Sequence, residues 1–149
     1  MTLQFNECAF SNGLSYEKFR KLSLTNISQE LEKYTDDTYI VDGLLYKMKN
    51  GSRFVARIFF KKHSDGSFIL SQLRLGASCG DHVTIFPRKE DQDIRFNKHL
   101  EIMESLLGEP SELTEDFFVY QFEDRRVECK KIVNGSEKYT DGYLNFYFD

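Results

Sequence analysis

Three strand-like runs separated by short glycine-bearing turns constrain this chain more than any other feature. Tyr39–Met48 is followed by Asn50-Gly51, Arg53–Lys62 by Asp65-Gly66, and Phe68–Leu75 by the glycine-bounded stretch Gly76–Gly80. Asn-Gly and Asp-Gly favour tight hairpins because both residues tolerate the positive φ of a type I′ turn. Consecutive hairpins make an antiparallel meander, and the rest of the chain must cover or extend it. Within Arg53–Lys61, the residues Phe54, Ala56, Ile58 and Phe60 share one face, and Arg53, Val55, Arg57, Phe59 and Lys61 share the other. One apolar and one mixed face is the pattern of a sheet covered by helices on a single side. Phe68–Leu75 carries apolar residues on both faces, which points to a central strand. His82–Phe86 reads as a further short strand, ended by Pro87.

The strongest helical pattern is Asp91–Leu107. Phe96, Leu100, Met103 and Leu107 recur at helical spacing, Ile102 and Leu106 widen the stripe, and His99 sits at its boundary. Asp91 or Asp93 can cap its start; Gly108 suits the left-handed residue after the last turn, and Pro110 blocks continuation. Near the N-terminus, Thr2–Phe5 reads as a short edge strand and Asn12-Gly13 breaks the chain. Ser15 then caps a turn or two carrying Tyr16 and Phe19. Asn26 and Gln29 have capping-box spacing, and Ile27, Leu31 and Tyr34 form one stripe, so Ser15–Tyr34 is one bent helix or two short ones. After Pro110 come strands at Phe117–Phe122, Arg126–Val133 and Tyr143–Phe148, with turns at Asn134-Gly135 and a polar loop over Gly135–Gly142.

The expected fold is a single α+β domain over residues 1–149: a twisted, mostly antiparallel sheet with one long helix and an N-terminal helical region packed on it. Fourteen Phe and 8 Tyr, with no Trp, suit such a β-rich core. Met1–Phe10 lacks the basic and apolar regions of a signal peptide, and no run has the roughly 18 apolar residues of a membrane span. Cys8, Cys79 and Cys129 are odd in number and widely spaced, as reduced thiols of a cytoplasmic protein would be.

Catalytic patterns are sparse. Gly76-Ala77-Ser78-Cys79-Gly80 matches G-x-S-x-G, but a nucleophile elbow needs a helix after it, and His82–Phe86 alternates like a strand. Cys79 and His82 could pair as nucleophile and base, although spacing does not establish the low thiol pKa that chemistry requires. His63, His82 and His99 are scattered without metal-ligand spacing. No phosphate-binding or dinucleotide glycine motif is present. The residues therefore point to no enzyme, no cofactor and no metal.

Charge is more informative. Between Glu90 and Asp124 there are eleven acidic residues against Arg95 and Lys98, whereas Val41–Lys89 holds nine basic residues against Asp42, Asp65 and Asp81. A surface polarised in this way speeds association with a partner of opposite charge. Nucleic-acid binding by Arg53, Arg57 and Lys61 is the weaker reading, because the chain is net −4 and carries no accompanying motif.

A helix ending Leu106-Leu107-Gly108-Glu109-Pro110 leads into the aromatic strand Phe117–Phe122, then a strand around Val127-Glu128-Cys129, a polar loop and the final Tyr143–Phe148 strand. Over Phe86–Asp149 this resembles the small cytoplasmic immunity proteins that protect bacteria from polymorphic or contact-dependent growth inhibition toxins. The resemblance implies a non-enzymatic inhibitor that blocks a toxin domain, often a nuclease with a basic cleft, and neither nucleic acid nor membrane as partner. The expected contacts are Glu101, Glu104, Glu112, Glu115, Asp116, Glu123 and Asp124, with Phe117, Tyr120 or Tyr143 as aromatic anchors. Two rivals are a dimeric acidic secretion chaperone that wraps an extended effector and a small enzyme using Cys79 and His82.

Overall fold

A computed structural model describes residues 3–5, 8–22, 30–47, 53–77, 92–123, 125–131 and 143–148. The fold is α+β. Among the described residues, ten strands and two helices follow in the order β1 (Leu3–Phe5), β2 (Cys8–Phe10), α1 (Tyr16–Leu22), β3 (Glu32–Lys33), β4 (Thr38–Lys47), β5 (Arg53–Lys62), β6 (Phe68–Ala77), α2 (Gln92–Leu107), β7 (Glu112–Leu113), β8 (Phe117–Gln121), β9 (Arg125–Lys130) and β10 (Leu144–Phe148). Strands β1 and β2 form a separate hairpin. The other eight make one sheet in the order β3-β4-β5-β6-β10-β9-β8-β7. Every pairing is antiparallel. The sheet is thus two meanders, β3–β6 and β7–β10, joined where β10 lies against β6.

The alternation in β5 is realised as expected. Phe54, Ala56, Ile58 and Phe60 are buried, and their row continues through Leu73 and Leu75 into Phe146, Leu144, Val127 and Cys129. Apolar residues on both faces of β6 have a local cause. Phe59 pairs with Gln72 but Phe60 with Leu70, so Ser71 is an extra residue, and its hydroxyl donates to the Phe59 carbonyl at 3.1 Å. This bulge shifts the phase by one and places Leu70 on the same core face as Leu73 and Leu75. The strand is nonetheless central, between β5 and β10.

Helix α1 follows from its cap, with Ser15 Oγ accepting from Lys18 N at 3.2 Å. It buries Phe19 against Phe10 and Phe60, with the Tyr16 ring edge-on to Phe60. The helical stripe expected through Leu31 and Tyr34 is not formed there: Glu32–Lys33 pairs with β4 as a strand. Turn chemistry overrides the periodicity. Asp37 accepts from the Thr35 and Thr38 hydroxyls, and Tyr34 N and Thr35 N both donate to Thr38 O. The proposed cap at Asn26 and Gln29, and Ile27, lie outside the described residues. So do Asn50-Gly51, Ser78–Gly80, His82–Phe86 and Asn134-Gly135.

Asp65-Gly66 does turn the chain, but through three loop residues instead of two. His63 N donates to Ser67 O, Gly66 N donates to His63 O, and Gly66 takes φ +85°. Helix α2 ends as its sequence dictates. Gly108 has φ +80°, and its N–H donates to Glu104 O at 2.9 Å. The buried face is centred one position away from the expected stripe. Arg95, Phe96, His99, Ile102 and Met103 are buried, while Leu106 in the last turn is 48% exposed. His99 is therefore a core residue and not a boundary one.

Candidate functional site

The acidic residues singled out from sequence border the second meander. Glu101 and Glu104 are exposed on α2, Glu112 lies on the edge strand β7, and Glu115 and Asp116 are exposed in the turn before β8. Glu123 is exposed in the turn after β8, and Asp124 lies outside the described residues. The five residues of β8 span about 13 Å from Phe117 to Gln121 and separate the turn of Asp116 from that of Glu123. The carboxylates thus form a discontinuous rim, carried by α2, by β7 and by the turns at the two ends of β8, and not one compact patch. Among the described residues, no lysine or arginine pairs with any of these six, whereas Asp93 pairs with Lys131 at 2.8 Å and Glu128 with Arg126 at 3.0 Å. Leu106 and Leu113, at 48% and 50% exposure, interrupt the rim with apolar surface.

Of the expected aromatic anchors, Tyr120 is excluded by its position. It is buried on the core face, and its hydroxyl donates to Gly108 O at 2.7 Å, tying β8 to the end of α2. Burial pushes its phenol up to about 12. Phe117 and Tyr143 are half-buried.

The basic excess of the first meander is arranged differently. Arg57 is held by Asp42 through two hydrogen bonds, Nε to Oδ1 at 3.0 Å and Nη2 to Oδ2 at 2.6 Å. That carboxylate, by hydrogen bond and charge, raises the Arg57 pKa. Beside it on the outer face, Arg74 lies over the Phe59 ring at 5.1 Å and the Tyr143 ring at 5.5 Å. Arg95 reaches the same Tyr143 ring at 4.7 Å from α2, and the Tyr34 ring stands edge-on to Phe59 at 5.6 Å. Gly76 makes room for this contact, since a Cβ there would collide with the Arg95 guanidinium. The first glycine of the G-x-S-x-G match is therefore a strand residue that admits an arginine. This alternation of guanidinium and ring went unread in the sequence, because its members are scattered from Tyr34 to Tyr143. Only Arg57, Phe59 and Arg74, on adjacent outward positions of β5 and β6, gave a local signal.

A second cluster is buried. Cys129 Sγ lies 3.5 Å from His99 Nδ1, and the imidazole is stacked on Phe54. Burial, with Arg95 and Lys98 adding, lowers His99 to about 3; burial pushes the Cys129 thiol up to about 12. Both are neutral near pH 7, the wrong state for thiolate chemistry. His99 is three residues after Phe96 and four before Met103, and that spacing was the available clue to its burial. Cys79 and His82 lie outside the described residues. Among the described residues no three His, Cys, Asp or Glu side chains converge to hold a metal, and no helix is long and apolar enough to cross a membrane.

Comparison of the chain with known protein families, with curated proteins and with solved structures finds no match.

Proposed function

We propose that this protein is a non-enzymatic inhibitor that binds a basic toxin domain through the acidic rim of its second meander, as a cytoplasmic immunity protein does. The observation that carries the reading is the set of exposed carboxylates, Glu101, Glu104, Glu112, Glu115, Asp116 and Glu123, without ion-pair partners among the described residues. A carboxylate already paired within its own fold offers little to a partner. Unpaired exposed ones project a negative field and steer a cationic surface into contact. A nuclease domain, whose substrate cleft is basic, is the partner such a rim fits. Leu106 and Leu113 supply apolar area beside the charges, as an interface centre does.

The test pairs this protein with the product of the gene immediately upstream of its own. The wild type and the Glu112→Lys/Glu115→Lys/Asp116→Lys/Glu123→Lys variant are titrated calorimetrically and by stopped flow at low and high salt. The reading expects tight wild-type binding with an association rate that falls with salt, and a variant slowed roughly tenfold or more. Equal affinity and equal salt dependence of the two proteins would overturn it.

A further inference from the structure

The outer face of the sheet carries a row of polar side chains in register: Arg57 opposite Arg74, Arg74 opposite Asn145, and Asn145 opposite Glu128. Two guanidiniums directly across from each other repel, so each calls for a carboxylate. Arg57 has Asp42. Arg74 has none among the described residues: its Nε donates to Asn145 Oδ1 at 3.1 Å, and its Nη1 and Nη2 make no hydrogen bond. The other acid of this row, Glu128, lies two strand spacings, about 10 Å, from Arg74. It is occupied by Arg126, by the Tyr147 hydroxyl at 3.1 Å and, more distantly, by Lys130. Asn145 is itself fixed by a second donor, Gln72 Nε2 at 2.8 Å.

We propose that Arg74 anchors an oxyanion-binding site on this face, taking a carboxylate or phosphate group between its two terminal nitrogens. The side chain is already oriented. Phe59 and Tyr143 bracket the guanidinium, and Asn145 fixes Nε, so little rotamer freedom remains to be lost when a ligand binds. The planar fork matches two oxygens of either group. Arg57, across the strand, adds positive potential while its own fork stays on Asp42. This site is separate from the acidic rim and does not depend on the inhibitor reading.

The experiment is a ¹H–¹⁵N titration of the intact protein that resolves arginine Nε–Hε signals, at constant ionic strength. Inorganic phosphate is the titrant in one series and acetate in another. Saturable shifts at the Arg74 Nε–Hε and Asn145 side-chain amide are expected. Arg74→Gln should abolish the shift at the Asn145 amide, and Arg74→Lys, which keeps the charge without the fork, should weaken binding at least roughly tenfold as read at that amide. Glu112→Gln should leave both shifts unchanged. Saturation by phosphate alone assigns the site to phosphate esters; saturation by acetate too assigns it to carboxylates of a protein partner. Linear shifts spread over the lysines, Asn145 shifts that persist in a folded Arg74→Gln variant, or undiminished affinity in a folded Arg74→Lys variant, would overturn the proposal.

Discussion

The two meanders that meet at β6 and β10 are alike in topology and unlike in how they hold charge. In the first, β4, β5 and β6 are ten residues each, and one register shift occurs in each of the β4–β5 and β5–β6 pairings. Long strands present long outward rows, and there Arg57 finds Asp42 while Arg74 finds rings and an amide. In the second, strands run from two to six residues without a register shift, and exposed turns flank β8 on both sides. Turns carry their carboxylates to solvent. Whether a charged residue is used inside the fold or displayed outside it thus depends on the element that carries it, and a net charge read from sequence does not distinguish the two.

Four tests sharpen or break this contrast. The largest effect is expected in the shared core, where the meanders should not differ. Phe60→Ala and Phe118→Ala remove fully buried rings, one from each, and each should cost about 3–5 kcal/mol in denaturant unfolding. A far smaller loss at Phe118 would mean that the second meander is not integral to the same core. At the seam, Gly76→Ala should cost about 1–3 kcal/mol, because the added methyl and the Arg95 guanidinium compete for one space. Pairing it with Arg95→Ala should recover part of that loss, measured as a double-mutant cycle.

Acid provides the third probe. His99 titrates near 6.5 when unfolded and about 3 when folded, so between these values the unfolded chain binds a proton that the native one refuses. Its contribution is complete above pH 6.5 and is lost as pH falls toward 3. His99→Leu should therefore flatten the stability profile between pH 6.5 and 5 by up to about 1.4 kcal/mol per pH unit; an unchanged slope would place the imidazole in water. The smallest effects bear most directly on charge. Asp42→Asn should destabilise by up to about 1 kcal/mol by leaving Arg57 beside Arg74, whereas Glu112→Gln should stay within about 0.5 kcal/mol. Equal losses would erase the distinction between used and displayed carboxylates.

Much of this architecture was legible in the chain. The period-two rows of β5 and β10, the stop at Gly108 and the turn at Gly66 all have local chemical causes that a sequence displays. The failures are equally physical. Tyr34 continues an apolar helical stripe, but the Thr35–Thr38 turn bonds decide its geometry. The two-residue edge strands β3 and β7 are too short for any alternation to be read. His99 looked polar enough for a boundary, yet its ring finds Phe54 and Cys129, which are distant in sequence. The acidic residues were found by simple counting, while their spread depended on β8 separating two turns. Arg74 was not legible as a site because its partners are distant in sequence: Phe59 on β5, Asn145 on β10 and Tyr143 just before β10.

The position of β10 also bears on how the protein is made. A ribosome delivers the four strands of the first meander, then α2, then β7, β8 and β9, before it delivers residues 144–148. Until then β6 and β9 each have an unfilled side, and nothing in the sheet holds the two meanders together. A nascent chain at that stage presents two open templates for pairing with another copy of itself. The brief interval before the tyrosine- and phenylalanine-bearing segment emerges is the period of greatest danger of misassembly, and its insertion closes both templates in one step.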